Sequence, residues 1–236
     1  MISGAQTIDP DKYGPVERQP FQGVRKSIAA RLLKTTTSTP LVTHFDFTDV
    51  SAVDAVRKAN KLTYMPFFIK AVTEALKEYP RINSQLDEEK GEIVYLKYYN
   101  IGIAVDTPAG LMVPVIKDAD KKSLAEISQA LTDISERARS RTIKLEEMRG
   151  GSFTISNVGA VGGVFATPIM NYPQAAILAI GKIREVPMVR SGKIEIGKEV
   201  PFSLTFDHRL IDGADAGRFV NKMTELLKEP ETMLFL

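Results

Sequence analysis

The order of strand-like and helical segments is the feature that most constrains the fold of this 236-residue chain. Short apolar runs typical of strands lie between amphipathic segments typical of helices, without regular alternation. Such an order favours a mixed sheet covered by helices over a barrel of repeated units. We therefore predict a mixed α/β fold.

The helix after Ser123 has the strongest local signal, because Ser123 and Glu126 form a capping box ahead of an apolar stripe. Asp49 is a candidate N-cap for a second helix. The predicted helices cover residues 24–34, 50–59, 66–79, 124–138 and a segment around 219–227. The predicted strands cover residues 41–47, 93–96, 101–105, 111–116, 153–156, 175–183, 194–196 and 202–206.

The first twenty residues differ in composition from the rest of the chain. They contain Pro10, Gly14, Pro15 and Pro20 with little apolar periodicity, which predicts a linker or extended arm. The folded domain is therefore expected to cover residues 21–236.

Composition and charge exclude several classes of function. Lysine and arginine number 31 against 29 acidic residues, so the net charge of +2 gives no electrostatic basis for binding nucleic acid. The sequence has neither an apolar run long enough to cross a membrane nor a signal peptide, and a cytoplasmic location is the default expectation. Because the chain has no cysteine, any thiol chemistry would use thiols of its substrates.

His208 is the first candidate for catalysis, with Asp212 four residues later. An imidazole can exchange a proton near neutral pH, and a carboxylate can fix its orientation. The alternative is a structural histidine, because in a strand His208 would point the same way as the apolar Leu204 and Phe206. Asp212 with Gly213 is also an ordinary turn signal.

Ser156 is the second candidate, at the end of a predicted strand that runs into a glycine-rich turn. Its hydroxyl could donate a hydrogen bond to a developing oxyanion, or it could satisfy nearby backbone groups of the turn. His44 and Asp46 share one face of another strand, but no further histidine or cysteine could complete a zinc-like set. We therefore predict no metal site.

Several motifs occur here in one characteristic order. Together they resemble the catalytic domain of dihydrolipoamide acyltransferases, the core component of 2-oxo acid dehydrogenase complexes. The resemblance runs from about Pro20 to Leu236 and is carried by residues 21–29, 103–116, 152–159, 167–171 and 207–213.

The resemblance implies the fold of chloramphenicol acetyltransferase, a mixed sheet with helices on one side. It also implies a homotrimer with active sites between subunits, in which coenzyme A and dihydrolipoamide are the substrates. His208 would be the general base, Asp212 would support the geometry of the site, and Ser156 would bind the oxyanion. Asp106 matches a position lining the substrate channel. Arg25 lies in the motif associated with coenzyme A, and it could bind phosphate or pair with Asp212.

The same resemblance implies further partners. The apolar C-terminus, consisting of Met233, Leu234, Phe235 and Leu236, would insert into a neighbour and join trimers into a larger core. Full-length members carry the lipoyl group on a separate domain that is absent here, and they bind a decarboxylating dehydrogenase and dihydrolipoamide dehydrogenase. Met1 directly precedes the linker-like residues, so the chain is expected to be part of a longer protein.

Three questions stay open at the level of sequence. Residues 158–180 favour acetyl or branched-chain transfer over succinyl transfer, without deciding between the first two. The chain could instead be a stand-alone O-acetyltransferase resembling chloramphenicol acetyltransferase. It could also be a core subunit that organises partners without catalysis.

Overall fold

The structure of the chain, a computed structural model, describes residues 9–108 and 110–235, apart from the side chain of Val24. The helices are α1 (Gly23–Ser38), α2 (Ser51–Ala59), α3 (Met65–Glu78), α4 (Leu124–Arg139) and α5 (Gly213–Lys228). The strands are β1 (Leu41–Asp49), β2 (Ser84–Asp87), β3 (Glu92–Tyr95), β4 (Ile101–Thr107), β5 (Gly110–Met112), β6 (Val115–Ile116), β7 (Phe153–Asn157), β8 (Ala176–Ile180), β9 (Arg184–Arg190) and β10 (Lys193–Asp207).

The main sheet is mixed, which confirms the predicted fold class. Its strands follow the order β1-β10-β8-β7-β4-β5, while β6 pairs with β4 and β9 pairs with β10. Strand β7 runs parallel to both of its neighbours, β4 and β8, and the other pairs are antiparallel. Strands β2 and β3 form a separate hairpin.

Helices α3 and α5 cover one face of this sheet. Phe68 of α3 packs edge-on against Phe202 at 5.8 Å between ring centroids, and Phe219 of α5 lies 6.0 Å from Phe153. The buried row on this helix-covered face crosses four strands through Leu204, Leu178, Ile155 and Ile103.

The opposite face carries smaller and more polar residues. We call it the open face and define it by the neighbouring row Ser203, Ala179, Ser156 and Ala104. The segment between β7 and β8 covers part of it, since Ala166 N–H donates to Ser203 Oγ and Thr154 Oγ1 donates to Gln174 Oε1.

The capping box is confirmed. Ser123 Oγ accepts the N–H of Glu126, and the Glu126 carboxylate accepts the N–H of Ser123 at 2.8 Å. Asp49, in contrast, belongs to β1, and Val50 occupies the N-cap of α2. The carboxylate of Asp49 still accepts the N–H of Ser51 at 2.9 Å.

Three predicted strands were wrong in their extent. The predicted strands 194–196 and 202–206 are parts of the single long strand β10, and predicted strand 111–116 divides into β5 and β6. Strand β9 was not predicted. It contains Pro187, which an edge strand tolerates because its backbone need not donate to a second neighbour.

The two ends of the chain are only partly described. Residues 1–8 of the predicted arm and Leu236 lie outside the described residues. Within the tail, a short 3-10 helix spans Pro230–Leu234, and Met233 is fully buried in the core of its own chain. Leu234 and Phe235 remain exposed, Phe235 to 88 %. The expectation that Met233 inserts into a neighbour is therefore corrected, because its burial is already complete.

Within the described residues, none of the helices combines the length and the apolar character needed to cross a bilayer.

A buried carboxylate connects α2 to β10. Asp54 is bound by four side chains: Arg57 at 2.5 Å, Tyr64 at 2.5 Å, Lys58 at 2.8 Å and Lys198 at 2.8 Å. Burial alone would raise the pKa of Asp54, but these partners together hold it well below its ordinary value of 3.8. The ionised form therefore stabilises the folded state.

The substitution Asp54→Asn tests this cluster. Because the folded-state pKa of Asp54 is depressed, the stabilisation is present above about pH 4 and is lost as the pH falls below that value. Breaking a buried ion pair costs about 3 kcal/mol or more, so this destabilisation is expected at pH 6 and should shrink towards pH 3. Urea unfolding at both pH values measures it.

Asp118→Asn is the matched control, since Asp118 forms an exposed ion pair with Lys121. Exposed ion pairs contribute little to stability because solvent screens them, so this variant should unfold almost like the parent. Equal effects of the two substitutions at pH 6 would contradict the role assigned to Asp54.

Candidate active site

His208 lies in the turn that follows β10. Strand β10 ends at Asp207, so His208 does not continue its alternation, and the side chain is exposed rather than buried. Its N–H donates to Pro40 O at 3.1 Å, and its ring lies 5.8 Å from that of Phe206. Since the imidazole is accessible, the alternative of a core histidine is excluded for the single chain.

The turn around His208 is built by Asp207, which the sequence analysis did not single out. The carboxylate of Asp207 is buried, and its Oδ1 accepts the N–H of Arg209 at 2.9 Å. The Arg209 guanidinium donates hydrogen bonds to both carboxylate oxygens at 2.7 to 3.1 Å. It also donates to the Glu88 carboxylate at 2.6 Å. The available signal was the aspartate two residues before Arg209, a spacing typical of an Asx-turn.

Asp212 occupies the N-cap position of α5. Its side chain is exposed and makes no capping hydrogen bond, while its backbone oxygen accepts the N–H of Ala216 at 3.0 Å. Among the described residues it forms no ion pair with Arg25, which lies exposed on α1. The interaction of Arg25 with Asp212, left open by the sequence, is therefore not made within this chain.

Ser156 lies in strand β7, one residue before its end, which agrees with the predicted strand 153–156. It stands between Ala104 of β4 and Ala179 of β8, so small side chains flank it on the open face. Ser156 is half-buried, and its hydroxyl has no hydrogen-bond partner within the described part of the chain. It is therefore free to donate to a ligand, which the turn-serine interpretation did not anticipate.

The sheet register separates Ser156 from His208. Ser156 lies opposite Ala179, which lies opposite Ser203, and His208 follows Ser203 by five residues. Five residues of strand span about 16 Å and two strand spacings add about 10 Å sideways, so the backbones are roughly 19 Å apart. Within one chain the two side chains cannot contact the same reacting group.

Asp106 lies nearer to Ser156 than to His208. It follows Ala104 by two residues on β4, which places it on the open face beside the end of β7, and it is exposed. The adjoining hairpin partner, Gly110, lies against α1, since a Cβ there would be 3.8 Å from Ile28. Arg25 is one helical turn before Ile28 on the same helix.

A large cleft also opens on this face, with a volume of about 820 Å³. Its charged lining residues are three arginines, Arg31, Arg141 and Arg149, without a carboxylate among the described lining. Such a lining suits a phosphate-bearing ligand, because guanidinium groups bind phosphate in bidentate fashion. No group of metal-ligating side chains large enough to hold an ion occurs in the described ranges.

Comparison with known proteins identifies the family of this chain. Residues 13–235 match the model of a family described as "2-oxoacid dehydrogenases acyltransferase (catalytic domain)". The dihydrolipoyllysine-residue acetyltransferase component of the pyruvate dehydrogenase complex of Bacillus subtilis is 41% identical over 95% of this chain. The match covers 53% of that relative, so the chain spans about half its length.

Solved structures are similarly close. The dihydrolipoamide acetyltransferase of Azotobacter vinelandii superposes with a TM-score of 0.93 and 37% identity, covering 99% of this chain and 100% of that one. That protein was studied for the roles of a serine, a histidine and an asparagine in its catalytic mechanism. The cubic core of a pyruvate dehydrogenase multienzyme complex gives the same TM-score, identity and coverage.

Chloramphenicol acetyltransferase superposes with a TM-score of 0.58 at 15% identity over 84% of this chain and 94% of that one. This likeness, with the mixed sheet and helices α3 and α5 packed on one of its faces, defines the chain as a protein of the chloramphenicol acetyltransferase fold. The family match is more specific. The chain belongs to the 2-oxoacid dehydrogenase acyltransferases, as their catalytic domain.

Proposed function

We propose that this chain transfers an acetyl group between dihydrolipoamide and coenzyme A, and forms the core of a pyruvate dehydrogenase complex. One observation carries the proposal: the exposed imidazole of His208 and the unpartnered hydroxyl of Ser156 occur at the spacing of the serine and histidine studied in the Azotobacter protein, 52 residues apart. Asp212 stands four residues after His208, as the asparagine does there.

The chemistry needs only these side chains and the two substrates. His208 removes the proton from the thiol of coenzyme A, and the thiolate attacks the carbonyl of acetyl-dihydrolipoamide. Ser156 donates a hydrogen bond to the tetrahedral oxyanion. When the intermediate collapses, protonated His208 returns its proton to the departing dihydrolipoamide sulfur, so no covalent enzyme intermediate forms.

The active site we propose combines two copies of the chain. Because His208 and Ser156 are about 19 Å apart within one chain, one copy would supply the base and its neighbour the oxyanion donor. A cyclic trimer closes such head-to-tail contacts. The similarity to a cubic core supports assembly of these trimers into a larger particle.

The remaining site residues receive weaker roles in the proposal. Asp212 would support the site from the start of α5, and Asp106 would line the channel beside Ser156. Arg25, with the arginines of the large cleft, would attract the phosphates of coenzyme A. As partners we propose a lipoyl domain carrying the acetyl group, the decarboxylating dehydrogenase and dihydrolipoamide dehydrogenase, in the cytoplasm.

The first test replaces each catalytic side chain. His208→Ala should abolish acetyl transfer, since it removes the imidazole that takes the thiol proton, and Ser156→Ala should lower turnover about 100-fold or more with nearly unchanged affinity for coenzyme A. Rates are measured with dihydrolipoamide and acetyl, isobutyryl or succinyl coenzyme A in the reverse reaction. The acetyl donor should be the fastest.

His44→Gln serves as the control for the histidine, because His44 lies on the helix-covered face near Gly217. It should retain parental turnover. Normal transfer by folded, assembled His208→Ala protein would refute the proposed base.

The second test addresses the shared site. His208→Ala and Ser156→Ala chains are co-expressed in equal amounts with different affinity tags, and mixed particles are isolated. In a cyclic trimer with one base and one oxyanion donor from adjacent copies, random mixing rebuilds about a quarter of the sites. Activity should therefore reach about a quarter of the parental rate. If the mixed particles were as inactive as particles of either single variant alone, His208 and Ser156 of the same chain would have to form each site.

The third test concerns assembly through the tail. Leu234 and Phe235 are exposed while Met233 belongs to the core, so deletion should begin after Met233. We expect truncation at this point to reduce the particle to trimers in light scattering, while the unfolding temperature stays close to that of the parent trimer. A second truncation that also removes Met233 should unfold more easily, because it leaves a cavity. Particles of unchanged size after the first truncation would rule out this assembly contact.

A further inference from the structure

The turn that presents His208 is held on both sides by the two residues next to it. Asp207 Oδ1 accepts the N–H of Arg209, and the backbone oxygen of Asp207 accepts those of Leu210 and Ile211 at 3.0 Å each. The N–H of His208 itself donates to Pro40 O. The backbone hydrogen bonds of this turn therefore involve Asp207 and Pro40, the residue before β1.

The Asp207 carboxylate is in turn fixed by a single arginine. It is only 3 % exposed, and Arg209 binds both of its oxygens through Nε and Nη2. The hydrogen bonds to Asp207 raise the pKa of Arg209, so this cation stays charged. A planar guanidinium can hold both oxygens at once, whereas an ammonium group acts as a point charge.

The outer end of Arg209 reaches a different part of the fold. Its Nη1 donates to Glu88 Oε1 at 2.6 Å, in the turn between β2 and β3. Glu88 is half exposed, so this contact contributes far less than the buried one. Arg209 is therefore held more strongly by Asp207 than by Glu88.

We propose that Asp207 and Arg209 are positioning residues for acyl transfer, which hold the turn so that the imidazole of His208 points at the thiol. This inference rests on the proposed function. Neither residue needs to touch a substrate: Asp207 is buried, and the Arg209 guanidinium is bound to two carboxylates. A small misplacement of a catalytic group can cost about 100-fold in rate, which is the size of effect the pair would prevent.

The test compares Arg209→Met and Arg209→Lys with a matched control, Arg218→Met. Arg218 also bonds an aspartate a few residues away, Asp215 on α5, but the Arg218 side chain is itself exposed. Each protein is assayed as an assembled particle, with the unfolding temperature and particle size measured beside kcat and the KM for coenzyme A and for dihydrolipoamide.

We expect Arg209→Met to lower kcat about 100-fold while both KM values stay within about twofold, because the base is displaced but the binding surfaces remain. Arg209→Lys should recover about tenfold of the lost kcat, since the lysine restores the positive charge but cannot bind both oxygens of Asp207 at once as a guanidinium does. Arg218→Met should match the parent in every measurement.

A purely structural role predicts a different result, in which the unfolding temperature falls but kcat per folded particle does not change. That outcome, or parental kcat in Arg209→Lys, would overturn the proposal. If Arg209→Met fails to assemble, Arg209→Lys and Asp207→Asn decide, because Asp207→Asn keeps the acceptor for the Arg209 N–H and removes only the charge. Full activity of His208→Ala would instead refute the proposed function itself, which keeps the two failures distinct.

Discussion

The register of β10 against β8, and of β8 against β7, is the constraint on which the rest of the structure depends. It aligns Leu204, Leu178 and Ile155 on the helix-covered face, where their burial drives folding. A slip of one residue would turn every side chain of a strand to the opposite face. The same register therefore decides both what is buried and where the chemical groups lie.

One consequence concerns the site. The packing that buries Leu204 places Ser156 far along the sheet from His208, and it leaves the hydroxyl between the small residues Ala104 and Ala179. The proposed oxyanion donor therefore lies on the open face, and the proposed base lies in the turn after β10. This separation accounts for the need for a second copy of the chain in the function we propose.

Much of the local structure could be predicted from sequence. The capping box at Ser123 could be predicted because both of its hydrogen bonds join residues three positions apart. Strand β9 could not be predicted, because a proline such as Pro187 argues against a strand unless the strand lies at the edge of a sheet. That edge position follows only from the pairing with β10. The bond between Asp207 and Arg209 was missed because it requires the strand to end at Asp207. The role of Asp212 stays a prediction.

The sequence by itself determined the family, the fold class and the identity of the groups that could move a proton or bind an oxyanion, because motifs and periodicity are local properties. Only the tertiary structure decided that His208 is exposed, that Met233 belongs to the core while Phe235 is exposed, and that His208 and Ser156 do not meet within one chain. The physical reason is that distances across a sheet follow from strand order and register, and neither is set by neighbours in sequence.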